Sequence, residues 1–256
     1  MPTHHPPLGS GCDPQCLADV RLTAEKIVAA NRSNYRIATK WLEHYLSGKG
    51  GIVPAHLHWL RSNYHFSQAS DKARTAVETE LVNAILAELA GKLTNRQINR
   101  IGNSAKHNEP VRAVGPSDLF FASHRSTIEV TPNLVVWKGT PMPSIGGQVK
   151  LKWWDDYNWN PNRPYFPGVP IPKPLIPLDS PLFAITYRDL DALQSCANGG
   201  AAEFKVEANW IATAQVGTGM TQFINWLSQQ SRPAHEIEQY FGLQMHLKKL
   251  IRWNGF

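Results

Sequence analysis

Two spacings of apolar residues divide this chain and predict an α+β fold. Over residues 17–102 the apolar side chains recur every three or four positions, the period of helices packed along one face. From residue 116 onward "STIEV", "NLVVW" and "SIGGQVKLKWW" bring β-branched residues, aromatics and two-residue alternation, the pattern of strands with one wet face. Helical spacing returns near the C-terminus. The expected architecture is a helical N-terminal part, a small antiparallel β-rich central region and C-terminal helices. As domains, this reads as a flexible arm at 1–16, a helical region at 17–102, and a β-rich catalytic region with terminal helices at 116–256.

The elements follow in order. Residues 1–16 are rich in Pro, Gly and His and predict a loose arm. From Leu17 to Ser47, Ile27, Ala30, Ala38, Trp41, Leu42, Tyr45 and Leu46 keep a helical period, with "NRSN" at 31–34 as an interruption and Gly48, Gly50 and Gly51 as the stop. Pro54 suits the first turn of a short helix through Leu60. A longer helix is expected over Ser70–Ala90, with Ala73, Val77, Leu81, Ala84, Ile85 and Leu89 in one stripe and Gly91 as its C-cap. Thr94 suits the cap of a brief helix through Ile101.

"STIEV" and "NLVVW" read as strands separated at Thr131-Pro132. In the next strand Val149, Leu151 and Trp153 share one face, and Lys150 and Lys152 the other. Eight prolines in residues 161–181 exclude an inner strand or a helix interior there and predict an extended surface excursion. "TYRDLDALQSC" reads as a short helix, "NGG" as a turn, and "AAEFKVEANWIATAQV" as one or two strands. Residues 219–230 and 233–252 close the chain as helices, the second opening at Pro233.

Composition narrows the class. No apolar run reaches the roughly eighteen residues of a membrane span, and no basic stretch followed by an apolar one marks a secretory signal near the start. The charge of +6 is uneven: residues 1–115 hold 14 Lys and Arg against 9 Asp and Glu. The surplus is spread too thinly for a nucleic-acid stripe. Three cysteines argue against a disulfide framework; Cys12 and Cys16 are close enough to pair, and Cys196 reads as a buried thiol.

Motifs for phosphate loops, dinucleotides, zinc proteases and nucleophile elbows are absent. Glu43 would serve as a general acid for sugar cleavage only in an apolar pocket, and it has no clear carboxylate partner. His56 and His58, two apart, share a face only on a strand.

"VKLKWWDDYNWNPNRPYFPG" at 149–168 carries the most chemistry. Asp155 and Asp156 stand at an expected strand end among Trp153, Trp154, Tyr157 and Trp159. Paired carboxylates can hold Mg²⁺, position a water or attack phosphorus. Lys152 and Arg163 are near enough in sequence to offset charge on a phosphate. The same residues also suit a plain turn packed under tryptophans.

"GGQVKLKWWDDYNWNPNR" resembles the motif region of the colicin M family of lipid II-degrading bacteriocins, in which a strand pair leads into Asp-any-Tyr-Asp, an Asn two residues on, and a His-Arg pair. Asp155, Tyr157, Asn160 and Pro161 match that order. Asn158 stands at the second Asp, and Pro164-Tyr165 about where the His-Arg pair belongs. The likeness covers about 120–210 and extends to toxins delivered by contact-dependent or type VI secretion. It implies an antibacterial toxin that hydrolyses the phosphoester bond of lipid II in the target's envelope, secreted without a classical signal peptide.

On that likeness Asp155, Asp156, Tyr157 and Arg163 are the catalytic group, Asp155 and Asp156 hold Mg²⁺, and Trp154, Trp159, Asn160, His124 and Arg125 bind substrate. It also implies a cognate immunity protein, a secretion-system carrier, a lipid-linked cell-wall precursor as substrate, and no nucleic acid. Two alternatives stand beside it: a peptidoglycan hydrolase using Glu43, and a non-enzymatic toxin that permeabilises membranes.

Overall fold

The computed structural model describes residues 13–89, 99–101, 106–114, 117–123, 125–137, 144–158, 187–217, 219–220, 222–223 and 243–256. It is an α+β fold. Helix α1 spans Pro14–Asn31, α2 Arg36–Leu46, α3 Leu57–Arg61, α4 Tyr64–Leu89, α5 Asp118–Ala122, α6 Tyr187–Ser195 and α7 Leu243–Leu250. The strands are β1 Ile52–Pro54, β2 Asn99–Ile101, β3 His107–Arg112, β4 Arg125–Trp137, β5 Ser144–Tyr157, β6 Phe204–Val216 and β7 Ile251–Asn254. Hydrogen bonding orders them β1-β6-β5-β4-β2, with β3 also on β4 and β7 also on β6. β1 runs parallel to β6, so the sheet is mixed, not wholly antiparallel.

The N-terminal helices break where "NRSN" predicts. α1 starts earlier than its apolar spacing because Asp13 caps it, its carboxylate accepting from the Gln15 N–H at 3.1 Å. α2 ends at the expected glycines: Gly48 has φ +69°, and a Cβ there would meet the Gly200 carbonyl oxygen at 2.6 Å. α4 also starts early, the Asn63 side-chain oxygen accepting from the His65 N–H at 3.0 Å. Its stripe of Ala73, Val77, Leu81, Ala84 and Ile85 is buried as expected.

Four local expectations are corrected. Pro54 lies in β1 instead of opening a helix, because Ile52–Pro54 pairs with Lys205–Glu207 and the Ala55 N–H continues the ladder to the Glu207 carbonyl. The brief helix expected to end at Ile101 meets strand β2 there, paired with Leu134–Val136. "STIEV" and "NLVVW" form one strand through Pro132, whose missing N–H falls outside the register with β2. Residues 251–254 leave the helical pattern as β7 because they pair with Thr213–Val216. "AAEFKVEANWIATAQV" yields a single strand, β6. The proline-rich stretch 161–181, the Thr94 cap and the helix start at Pro233 lie outside the described residues.

Contacts divide the chain into two compact units: residues 1–66, 111–126 and 154–207, and residues 67–110, 127–153 and 208–256. The first contains α1, α2 and α6, with α1 packed on α2 and α6, and α2 on α5. Its core includes Leu17, Trp41, Leu42, Tyr45, Leu60, Leu119, Tyr157, Leu193 and Phe204. The Asp118 carboxylate of α5 accepts from the N–H groups of Ile37 and Ala38, at 3.0 and 2.8 Å, so a distant acid caps α2. The second unit buries Ile128, Val130, Leu134 and Val136 of β4, Val149, Leu151 and Trp153 of β5, and most of the α4 stripe. There the Trp253 indole N–H donates to the Glu78 carboxylate at 3.0 Å.

Candidate functional site

The expected site sits at the end of β5, in the first unit, and the strand's continuation through Tyr157 decides its geometry. Successive strand side chains point to opposite faces. β5 stays regular past Trp154, so Asp155 keeps the parity of buried Val149, Leu151 and Trp153, while Asp156 follows Lys150, Lys152 and Trp154. The two acids leave on opposite sides of the sheet.

The inner side is aromatic. Tyr157 is only 6 % exposed and stacks on Phe204, the first residue of β6, at 4.6 Å between ring centres. Trp41 and Tyr45 of α2 approach the same ring at 6.3 and 6.1 Å, and His44 meets Phe204 at 4.6 Å. The Tyr45 hydroxyl donates to the Leu190 carbonyl at 2.7 Å. Burial, then Asp191 and Glu203, push Tyr45 well above the usual tyrosine range, so it stays a donor. Asp155 is half-buried on this side.

The outer side is solvated and charged. The Lys205 ammonium lies 3.7 Å from the Asp156 carboxylate, with side chains 58 and 33 % exposed. Trp154 shares the Asp156 face by parity. Arg125 opens neighbouring β4 on the exposed side, since Ser126 after it is buried. The parallel register sets Ile52 beside Lys205, and Ile52 is 65 % exposed. Among the described residues, this end of the sheet brings the Asp156 carboxylate, the Lys205 and Arg125 cations, half-buried Trp154 and exposed Ile52 to one face.

Of the residues named from sequence, Trp154, Asp156 and Arg125 share the outer face, whereas Asp155 and Tyr157 lie on the inner one. Trp159, Asn160, Arg163 and His124 lie outside the described residues. Sequence reasoning missed Lys205 and Ile52. The alternation in "FKVEA" put Lys205 on a wet face, but nothing local placed that face against Asp156.

A two-carboxylate Mg²⁺ site requires convergent oxygens. Asp155 and Asp156 diverge across the sheet, so as a pair they do not fit one ion. Among the described residues no group of three or more metal-ligating side chains forms. Glu43 is half-buried and salt-bridged to Arg32.

Cysteine chemistry differs from expectation. Cys196 is disulfide-bonded and Cys16 is a free thiol, so Cys196 is not the buried thiol expected and Cys16 is unpaired. The Cys12–Cys16 pairing rested on closeness in sequence, which says little about distance in the fold, and the thiol reading of Cys196 on its place beside Leu193; Cys196 is indeed buried.

Comparison of the chain with protein-family models, with curated proteins and with solved structures gives no match.

Proposed function

We propose that this chain is an antibacterial effector that acts on the cell envelope of a rival bacterium, hydrolysing the phosphoester bond that joins the lipid of lipid II to its pyrophosphate. The observation that carries this reading is the outer face at the ends of β5 and β6, where the Asp156–Lys205 pair shares a solvated surface with Arg125, Trp154 and exposed Ile52. Such a surface suits an amphipathic substrate with an anionic head and a lipid tail. Asp156 takes a proton from the attacking water, and Lys205 and Arg125 offset charge on the phosphoryl oxygens as the P–O bond to the lipid breaks. The lipid alkoxide leaves and takes up a proton from solvent. Trp154 and Ile52 pack against the lipid. No step is assigned to Mg²⁺, because the paired-carboxylate geometry does not suit it.

The disulfide at Cys196 supports action in an oxidising compartment such as the periplasm. The producing cell then requires an immunity protein, for which the same face is the natural target, and a secretion-system carrier.

Labelled lipid II incubated with the purified chain tests the chemistry, with and without Mg²⁺. The expected result is release of the pyrophosphate-bearing product, reduced about 10²- to 10⁴-fold in Asp156→Asn and far less in Asp155→Asn. Absence of product from the unmodified chain, beside an active colicin M control, rejects the reaction. Toxicity to a susceptible bacterium only when the chain is exported to the periplasm is the matching result in cells.

A further inference from the structure

We propose that the outer sheet face of the second unit is a docking surface for an anionic lipid bilayer, built from cations of β5 and β7 and from exposed apolar side chains. Strand parity assembles this face. In β6 Ala208, Ala212 and Ala214 are buried, so Ile211, Thr213 and Gln215 take the opposite side. β7 runs antiparallel to β6 with Thr213 opposite Asn254 and Gln215 opposite Arg252. Directly opposed residues share a face, so Arg252 joins Gln215 on the outer side. The pair between them, Ala214 and Trp253, faces inward, where the Trp253 indole N–H reaches Glu78 of α4. In β5, the neighbour of β6, Lys150 and Lys152 alternate with buried Val149, Leu151 and Trp153 and so lie on the outer face as well.

Charge and apolar exposure select the partner. Among the described residues of these strands in the second unit, Lys150, Lys152 and Arg252 meet a single acid on this face, Glu129 of β4. Lys106 already lies 3.4 Å from the Glu129 carboxylate, so the face keeps a positive surplus. Lys150 and Arg252 are exposed. Ile211 is 54 % exposed beside them, and Trp137 of β4 is 39 % exposed. The Trp137 ring lies over the backbone of Gly146, where a Cβ would meet it at 2.1 Å. Tryptophan and a branched aliphatic residue enter the headgroup boundary while neighbouring cations stay at the lipid phosphates. A nucleic acid would use the cations, but its bases stack on flat rings and leave Ile211 without a role.

The inference goes beyond the lipid II reading, because vesicles that lack lipid II test it. The purified full chain should sediment with mixed phosphatidylglycerol and phosphatidylcholine vesicles, and bind phosphatidylcholine alone at least about tenfold more weakly. Added salt should release it from the anionic vesicles. Lys150→Gln and Arg252→Gln should each weaken binding about fivefold, and together about 25-fold. Ile211→Ser should weaken it about tenfold and leave the salt dependence in place. Neither Lys150→Gln nor Arg252→Gln should alter hydrolysis of lipid II in detergent micelles, so failure of this surface and failure of the catalytic reading are separable. If a variant does not fold, the salt titration of the unmodified chain on the two vesicle types carries the test. Equal binding to both vesicle types, or full binding by the doubly substituted chain, overturns the proposal. Binding to a single-stranded oligonucleotide through the same residues, without binding to vesicles, assigns the face to nucleic acid and overturns it too.

Discussion

The two sides of the sheet at the ends of β5 and β6 differ in nearly every physical respect, although their residues alternate in sequence. On the inner side Tyr157 and Phe204 stack beneath Trp41 and Tyr45, away from water. On the outer side Asp156 and Lys205 face each other in solvent beside Trp154. One step along the strand converts a structural residue into a candidate functional one. The inner side should therefore govern stability and the outer side reactivity, and substitutions can test that division.

The largest effect on stability belongs to the aromatic stack. Phe204→Ala removes a ring that is 3 % exposed and should cost about 3–5 kcal/mol in denaturant unfolding. A loss below about 1 kcal/mol would mean that the inner side can repack, and the contrast would fail.

Asp118→Ala tests the floor of the same cluster from a distance. It strips both acceptors from the α2 N–H groups and should cost about 1–2 kcal/mol by thermal unfolding, with Asp118→Asn retaining part of the stability.

Tyr45→Phe removes the hydrogen bond to Leu190 and should cost about 1 kcal/mol. It also carries a pH signature. Tyr45 is raised in the folded chain, so its contribution is full below about pH 10, where the unfolded tyrosine starts to ionise, and is lost as pH climbs further. The variant should show a flatter alkaline decline in stability than the parent. Equal slopes would show that the phenol is not held neutral by the fold.

The smallest effect on stability should come from the outer pair. Asp156→Asn or Lys205→Met should change unfolding by less than about 0.5 kcal/mol, because both groups are solvated. On the proposed reading, the same two variants should show the largest loss in the lipid II assay. A stability loss as large as that of Phe204→Ala would recast the pair as structural.

Much of the fold was legible along the chain. The α4 stripe, the Val149–Leu151–Trp153 alternation and the glycines after α2 are local patterns whose period or φ demands one kind of backbone. Pairing was less legible. Pro54, Ile101 and Ile251 each sat in a stretch with an acceptable helical reading, and each became strand because a partner strand took up its backbone groups. The candidate site followed the same division. Asp155 and Asp156 stood out as neighbouring acids, yet adjacency in sequence is separation across a sheet once the strand runs on through Tyr157.

By itself the sequence determined the α+β class, the helical N-terminal part, the alternating strands and the run of acids and aromatics at the end of β5, because these depend on the order and spacing of side chains. Only the tertiary structure decided that Lys205 faces Asp156, that Tyr157 packs on Phe204, that Asp118 caps α2 and that Cys196 is bonded. Those outcomes depend on which distant segments meet, and burial and hydrogen-bond pairing over the whole chain select the meeting.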